Sequence, residues 1–410
     1  MIGRPPSLRK SPSRWCSRLR AVTGALVCAG VCLLAVDARA QERGPTALAP
    51  EALAAAIDQL GSLDYPVRMK AGRAIRRAPA ALAVPALLDA VREHGDGYIR
   101  FKALVLLTGF NDPRTVEAME EALASPNDRL REVAYGYFEH HPRPALAPRL
   151  LAALDTETGE FVRPSLVRAL AALADISAPA RAALIRDAGR GVDYFRSSVI
   201  EALGDYKVAE ALPRLIEVAR LEGPLQDDAV LALGRIGDRT ALATLAELQR
   251  TASTELQPSI AAAICLMGQN CGSHMGFLQR TLGFAEDHPG YQELVRAAAA
   301  GLGAIGARGQ AEAVTMLLDI GVPSEDPLRA PVALALGLVA LRNTPVLLDV
   351  LAGRDDRDAA VSLLAEGFDM LEEDLEEERF FATIRRAYWA APDGSPTRAL
   401  CEHLITRLDF

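Results

Sequence analysis

The feature that most restricts what this chain can fold into is a recurrence. The stretch AVLALGRIG (229–237) returns as SVIEALGDYK (198–207), AAAICLMGQN (261–270), RAAAAGLGAIG (296–306) and PVALALGLVAL (331–341), and less closely as KALVLLTGFND (102–112). Within these stretches Gly204, Gly234, Gly268, Gly303 and Gly337 fall 30, 34, 35 and 34 residues apart. A fixed period of this size predicts a solenoid of stacked supersecondary units.

Each unit reads as helix, turn, helix. In ALPRLIEVARL (211–221), Leu212, Leu215, Ile216, Val218 and Ala219 share one helical face, and Val230, Leu233 and Ile236 do the same in the next segment. One amphipathic pair cannot bury its apolar face alone, whereas stacked pairs share a core. The recurring glycine costs about 1 kcal/mol inside a helix relative to alanine. Near a helix end it admits a close neighbour or lets the helix stop, so its recurrence points to packing. Asp238, Asp112 and Thr344 suit the caps of the helices that follow, the last two preceding Pro113 and Pro345.

These residues resemble the HEAT-repeat family, and within it the bacterial type whose repeats are similar to those of phycobilisome lyases. There a helix written VRxxAAxALGxIGD precedes one written AVPxLxxAL, as in DDAVLALGRIGDRTALATLAEL (227–248) and VIEALGDYKVAEALPRLIEVA (199–219). The resemblance covers 51–370 and fades towards 372–410. It implies an all-α fold, an elongated right-handed α-solenoid of about eleven helix pairs, less regular at 111–175, with atypical caps. It implies little about activity, because the family is mostly scaffolds with a few lyases.

Composition agrees: half the residues are apolar but only 5% are aromatic, the balance of helices packed through small side chains. The first forty residues stand apart. A basic stretch, MIGRPPSLRKSPSRWCSRLR, precedes sixteen apolar residues and then DARAQ, the order of a secretory signal peptide with cleavage expected after Ala40. The apolar run is shorter than the roughly 20 residues that span a bilayer. The expected organisation is a signal peptide at 1–40, a linker at 41–50, the array at 51–370 and capping helices at 371–410. A periplasmic or secreted location follows, the alternative being anchorage by an uncleaved N-terminal segment. Removing 1–40 takes seven Lys/Arg and one Asp, leaving 38 basic against 52 acidic residues and a formal charge of −14. That acidity argues against nucleic acid as a partner, and no stable membrane insertion is expected after cleavage.

Cys265 and Cys271 remain in the mature chain with Cys401, and in an oxidising compartment they form a possible disulfide around the turn at Gly268. Two buried free thiols are the alternative, since residues six apart meet only if the chain turns tightly.

Basic residues precede the recurring glycine, or its equivalent, by seven to nine positions: Arg100 or Lys102, Arg196, Arg296 and Arg329. Stacking aligns such positions, so they are candidate partner-binding residues on one face, or else pair with turn aspartates and helix ends and stabilise the stack. The acidic run LEEDLEEERFFATIRR (371–386) reads as the solvated face of a terminal helix, and His140–His141 as a turn pair. GLGAIG (301–306) has dinucleotide-motif spacing but ends an alanine-rich helix instead of following a strand. The sequence has no Gly-x-Ser-x-Gly, Walker loop, Cys-x-x-Cys or His-Glu-x-x-His. The expectation is therefore a non-enzymatic scaffold with no cofactor and no metal, exported to the cell envelope and binding a protein or peptide. The alternative is a lyase-like or chaperone-like factor binding a small ligand or client protein.

Overall fold

Eleven helix pairs follow one another along the described residues, 48–286, 288, 290–371 and 373–410 of the computed structural model. The expectations for residues 1–40 lie outside them. The pairs begin with α1 (Pro50–Gln59) and α2 (Tyr65–Arg76), α3 (Ala80–Glu93) and α4 (Gly97–Thr108), and α5 (Arg114–Ala122) and α6 (Asp128–His140). They continue with α7 (Ala147–Thr156) and α8 (Arg163–Ala171), α9 (Ala178–Asp187) and α10 (Asp193–Asp205), and α11 (Leu212–Ala219) and α12 (Gln226–Ile236). Next come α13 (Leu242–Thr251) and α14 (Gln257–Leu266), α15 (Cys271–Glu286) and α16 (Gln292–Ala307), and α17 (Ala311–Gly321) and α18 (Arg329–Arg342). Last are α19 (Thr344–Ala352) and α20 (Arg357–Leu371), then α21 (Asp374–Ala390) and α22 (Pro396–Arg407). The fold is an all-α solenoid, and no strand occurs among the described residues. No single helix among them is long and apolar enough to cross a membrane.

The even-numbered helices stack directly on one another from α4 to α20 and form the inner row, while the odd-numbered ones lie outside them. The repeating glycine explains how closely they approach. A Cβ on Gly204 would lie 2.7 Å from Ala232 Cα, and one on Gly234 would lie 2.4 Å from Ala263 Cα. Backbone therefore meets backbone between α10, α12 and α14. Gly268 does not belong to this series. It sits past the end of α14 at φ +76°, in the left-handed region that glycine adopts freely, and Ala263 holds the packing position in that helix.

Buried apolar side chains run from Leu53 to Met267 and from Leu231 to Phe410, two clusters that overlap at α12 and α14. Leu203, Leu233 and Leu336 are fully buried, each contributing about 1.5–3 kcal/mol by leaving water. The caps largely follow the sequence. Asp238 accepts from the Thr240 amide and Asp112 from the Arg114 amide, but Asn343, not Thr344, caps α19 by accepting from Val346.

The array is not elongated in the way the repeat alone implies. It curls until α21 lies across α4, α6 and α18, bringing the chain's last helix pair back to its first repeats. The pair at 374–407 thus caps the array and also bridges it.

Candidate functional site

The C-terminal ends of the inner helices converge on Asp205. Arg168 from α8 donates to Asp205 Oδ2 at 3.0 Å, Arg235 from α12 lies 3.5 Å from Oδ1, and Arg342 from the end of α18 pairs with the same carboxylate. Arg308, just past α16, donates to the Gly204, Asp205 and Arg235 carbonyls at 3.2–3.4 Å. Burial alone would push the Asp205 carboxyl up, but Arg342, Arg235 and Arg168 outweigh it and hold it far below the usual carboxylate range. Arg168 also pairs with Glu139 of α6 at 2.7 Å, and the Tyr206 hydroxyl donates to Glu139 at 2.8 Å. Burial, then the Glu139 charge, push that hydroxyl up.

A second group adjoins this hub where α6 meets α21. His140 Nε2 lies 2.6 Å from Glu376 Oε1, and Arg379 pairs with the same carboxylate. Burial disfavours the Glu376 charge, yet the hydrogen bond from His140 and the charges of His140 and Arg379 bring its pKa down to about 2. Glu139, His140 and Glu376 offer ligand atoms within 4.8 Å of one another. A cation entering there would face the guanidinium groups of Arg168 and Arg379, which already neutralise both carboxylates. The arrangement is chemically an ion-pair network that ties α6, α8 and α21 together.

From this group a polar seam continues along α21. Lys102 of α4 pairs with Asp374, and Arg76 of α2 donates from Nε to Glu378 at 2.6 Å. Glu378 is only 1% exposed and also meets Arg385 at 3.4 Å. Two glycines make room for this contact. A Cβ on Gly109 would come 2.4 Å from Glu378 Oε1, and one on Gly136, inside α6, 2.5 Å from Leu375 Cδ2. At the chain end Asp409 pairs with Arg73, and the Phe410 carbonyl accepts from Arg77 at 3.4 Å. The acidic run at 371–386 is therefore not simply a solvated face, because three of its carboxylates, at 374, 376 and 378, meet basic side chains 230 or more residues earlier.

The five basic residues singled out by the repeat do not form one free surface. Arg100 Nε donates to the Val91 carbonyl at 2.7 Å and Arg196 Nε to the Ala188 carbonyl at 3.2 Å, each closing the end of the preceding outer helix. Arg329 donates to the Gly321, Val322 and Ser324 carbonyls at 3.0–3.3 Å and forks onto Glu366 at 2.7 Å. These three hold the stack, as do Arg131 on the Ser125 carbonyl and Arg357 on those of Leu351 and Ala352, two residues the repeat comparison missed. Only two of the five do otherwise: Arg296 is exposed beside Glu293, and Lys102 belongs to the seam. The hub residues Asp205, Arg235 and Arg342 carried a weak sequence signal, since each follows the recurring glycine by one to five positions. His141 stacks on Tyr137 with ring centroids 4.1 Å apart. Cys265 and Cys271 are joined as a disulfide across the turn at Gly268, with Cα atoms 4.1 Å apart, and Cys401 is a buried free thiol.

The family model described as HEAT repeats matches residues 53–139 and 84–171. Residues 53–171 are built of HEAT repeats. The matched HEAT repeats lie in the first half of the array and reach, up to residue 171, into the stretch at 111–175 whose glycine pattern is weakest. No curated protein matches this chain in sequence. Among solved structures it is similar to the complex of CpcE and CpcF of phycocyanin lyase from Nostoc sp. PCC7120. That match has 19% identity, covers 80% of this chain and 97% of that one, and has a TM-score of 0.25. It is also similar to Kap121p at 14% identity, covering 88% of this chain and 53% of that one, with a TM-score of 0.30.

Proposed function

We propose that this HEAT-repeat protein is an exported, non-enzymatic scaffold that holds a segment of another protein in the cell envelope. The observation that carries the reading is the seating of α21 on the inner row, where α2, α4 and α6 hold a helix through Arg76, Lys102 and His140. A surface that holds one helix by side-chain pairs and a glycine notch has the chemistry to hold another. The polar groups at the centre of the array are committed to one another around Asp205, which fits a mechanical role for them.

Export rests on the order of residues 1–40: basic stretch, apolar run, then Ala38-Arg39-Ala40. The pairing of Cys265 with Cys271 supports an oxidising destination. The test is reversible crosslinking of the full chain, expressed in its source organism, followed by mass spectrometry of the envelope fraction. The expected result is a chain beginning at Gln41, crosslinked reproducibly to one protein through the inner row. A chain retaining residues 1–40 in the cytoplasmic fraction would overturn the location, and crosslinks scattered over the outer helices would overturn the scaffold reading.

A further inference from the structure

We propose that the face formed by α2, α4 and α6 is a binding surface for an acidic amphipathic helix of a partner protein, and that α21 is its built-in competitor. The inference rests on the scaffold reading and adds to it the chemistry of the partner and the way access is controlled.

The first argument is charge. Without α21 and the chain end, this face would present Arg73, Arg76, Arg77, Lys102 and His140, whose present partners are Asp409, Glu378, the Phe410 carbonyl, Asp374 and Glu376, and these basic side chains outnumber Glu132 of α6, which faces Glu373 and Asp374 at the same seam. Burial and the neighbouring Arg73 already depress the Arg77 guanidinium, so positive charge is crowded here even with the seam closed. A helix with carboxylates on its first two turns complements such a face.

The second argument is shape. The notch at Gly136 receives Leu375, and the space at Gly109 receives the Glu378 carboxylate. A helix entering the face must therefore carry a branched apolar residue one position after its first carboxylate, as Asp374-Leu375 does, and an acidic residue one turn later.

The third argument is separability. The large apolar side chains of α21 pack mainly within the chain's own end. Phe380 meets Phe368 edge-on at 5.1 Å, and Phe381 stacks on Phe410 at 4.1 Å. Across the seam the contacts are mostly ion pairs, with Leu375 at Gly136 and Arg76 over the Phe381 ring as the apolar additions. Opening two stacked repeats exposes leucine and valine to water, whereas opening an ionic seam returns each charge to its hydration shell and so costs far less than the contact distances imply. The last pair can thus leave the α2–α4–α6 face while Phe380 keeps its contact with Phe368 of α20 and Phe381 its stack on Phe410.

The test uses a fluorescent peptide of residues 371–391 titrated into the full chain, into Asp374→Lys and into the double variant Asp374→Lys/Lys102→Glu, each checked for native melting. The full chain is expected to bind weakly because its own α21 competes. Asp374→Lys, which weakens the seam from the α21 side and leaves the face intact, is expected to bind about tenfold more tightly or better, with affinity falling as salt rises. The double variant swaps the charges, removes the cation the peptide needs, and is expected to lose that gain. Leu375→Ala, which empties the notch, serves as a second α21-side variant should Asp374→Lys fail to fold. Equal binding by all chains would overturn the inference, as would an Asp374→Lys chain whose face is taken by a second copy in a concentration-dependent dimer. Because these titrations need no natural partner, they are separable from the scaffold reading. A peptide-binding face with no envelope partner would sink the function, while a partner captured equally by the full chain and Asp374→Lys would sink the competitor.

Discussion

Leu375 fills the notch that Gly136 leaves in α6, its Cδ2 lying 2.5 Å from where a Cβ on Gly136 would stand. A glycine within a helix is otherwise a loss of about 1 kcal/mol against alanine, so the contact gives that glycine a reason. Gly136→Val is expected to lower stability by about 1–3 kcal/mol through overpacking. In a Leu375→Ala background the loss should shrink. A double-mutant cycle by urea unfolding checks this, and coupling near zero would separate the two residues.

The same logic distinguishes glycines by what surrounds them. At Gly234 an added methyl would press on the backbone of Ala263, which cannot rotate aside, whereas at Gly283, on α15, it would meet nothing within 4 Å. Gly234→Ala is therefore expected to destabilise by about 1–3 kcal/mol. Gly283→Ala should stabilise by about 0.5–1 kcal/mol through helix propensity and a less flexible unfolded chain. Thermal melts of the two variants, read against the parent, should move in opposite directions.

Removing the Asp205 charge leaves Arg168 with Glu139 alone and takes from Arg235 and Arg342 the carboxylate they share with it. Asp205→Asn is expected to cost about 1–3 kcal/mol, less than the loss at a fully buried ion pair because Arg168 and Arg342 keep part of their contact with water. Arg296→Ala, whose partner Glu293 is also exposed, is expected to change stability by less than about 1 kcal/mol. Chemical denaturation of both variants tests whether the hub or the surface pair carries the load.

Two neighbouring glutamates on α21 give opposite pH dependence. Hydrogen bonding and charge from His140, working against burial, hold Glu376 at about 2, below its unfolded value of 4.5. Its contribution is therefore present above pH 4.5 and disappears as pH falls towards 2. Burial, with Asp374 adding to it, raises Glu377 to about 7, against opposing effects of Lys102 and Arg76. Its folded form retains a proton that the unfolded chain has lost, so stability falls as pH rises from 4.5 through 7. Urea midpoints measured from pH 2 to 8 should show both limbs. Glu376→Gln should flatten the acid limb and Glu377→Gln the neutral one.

The repeats were legible because their physics is local and periodic: Leu212, Leu215, Val230 and Leu233 mark faces that only a stacked helix can bury. Closure was not legible in the same way. Lys102 and Asp374, or Arg76 and Glu378, meet across most of the chain with no period to announce the pairing, and an acidic run looks solvated until its partners are known. Gly268 shows a different limit. A glycine at the right interval serves equally to admit a neighbouring helix or to end one, and only the Ala263 contact decides between them. The basic residues at 100, 196 and 329 recur with the repeat, but recurrence in a stack serves the carbonyls of the preceding helix end as readily as it serves a partner.

The contacts at Gly204 and Gly234 also bear on where the first repeats and the last helix pair can meet. Helices on the inside of a bend must sit closer together than those outside, so each glycine or alanine there acts as a thin wedge, and the summed thickness of the wedges fixes the arc. A methyl added at Gly234 thickens one wedge. Its effect, multiplied by the lever arm of the five helix pairs that follow, is delivered at Lys102 and Asp374, far from the substitution. The radius of the array, and with it the fit of its closing seam, is written in the volume of its smallest side chains.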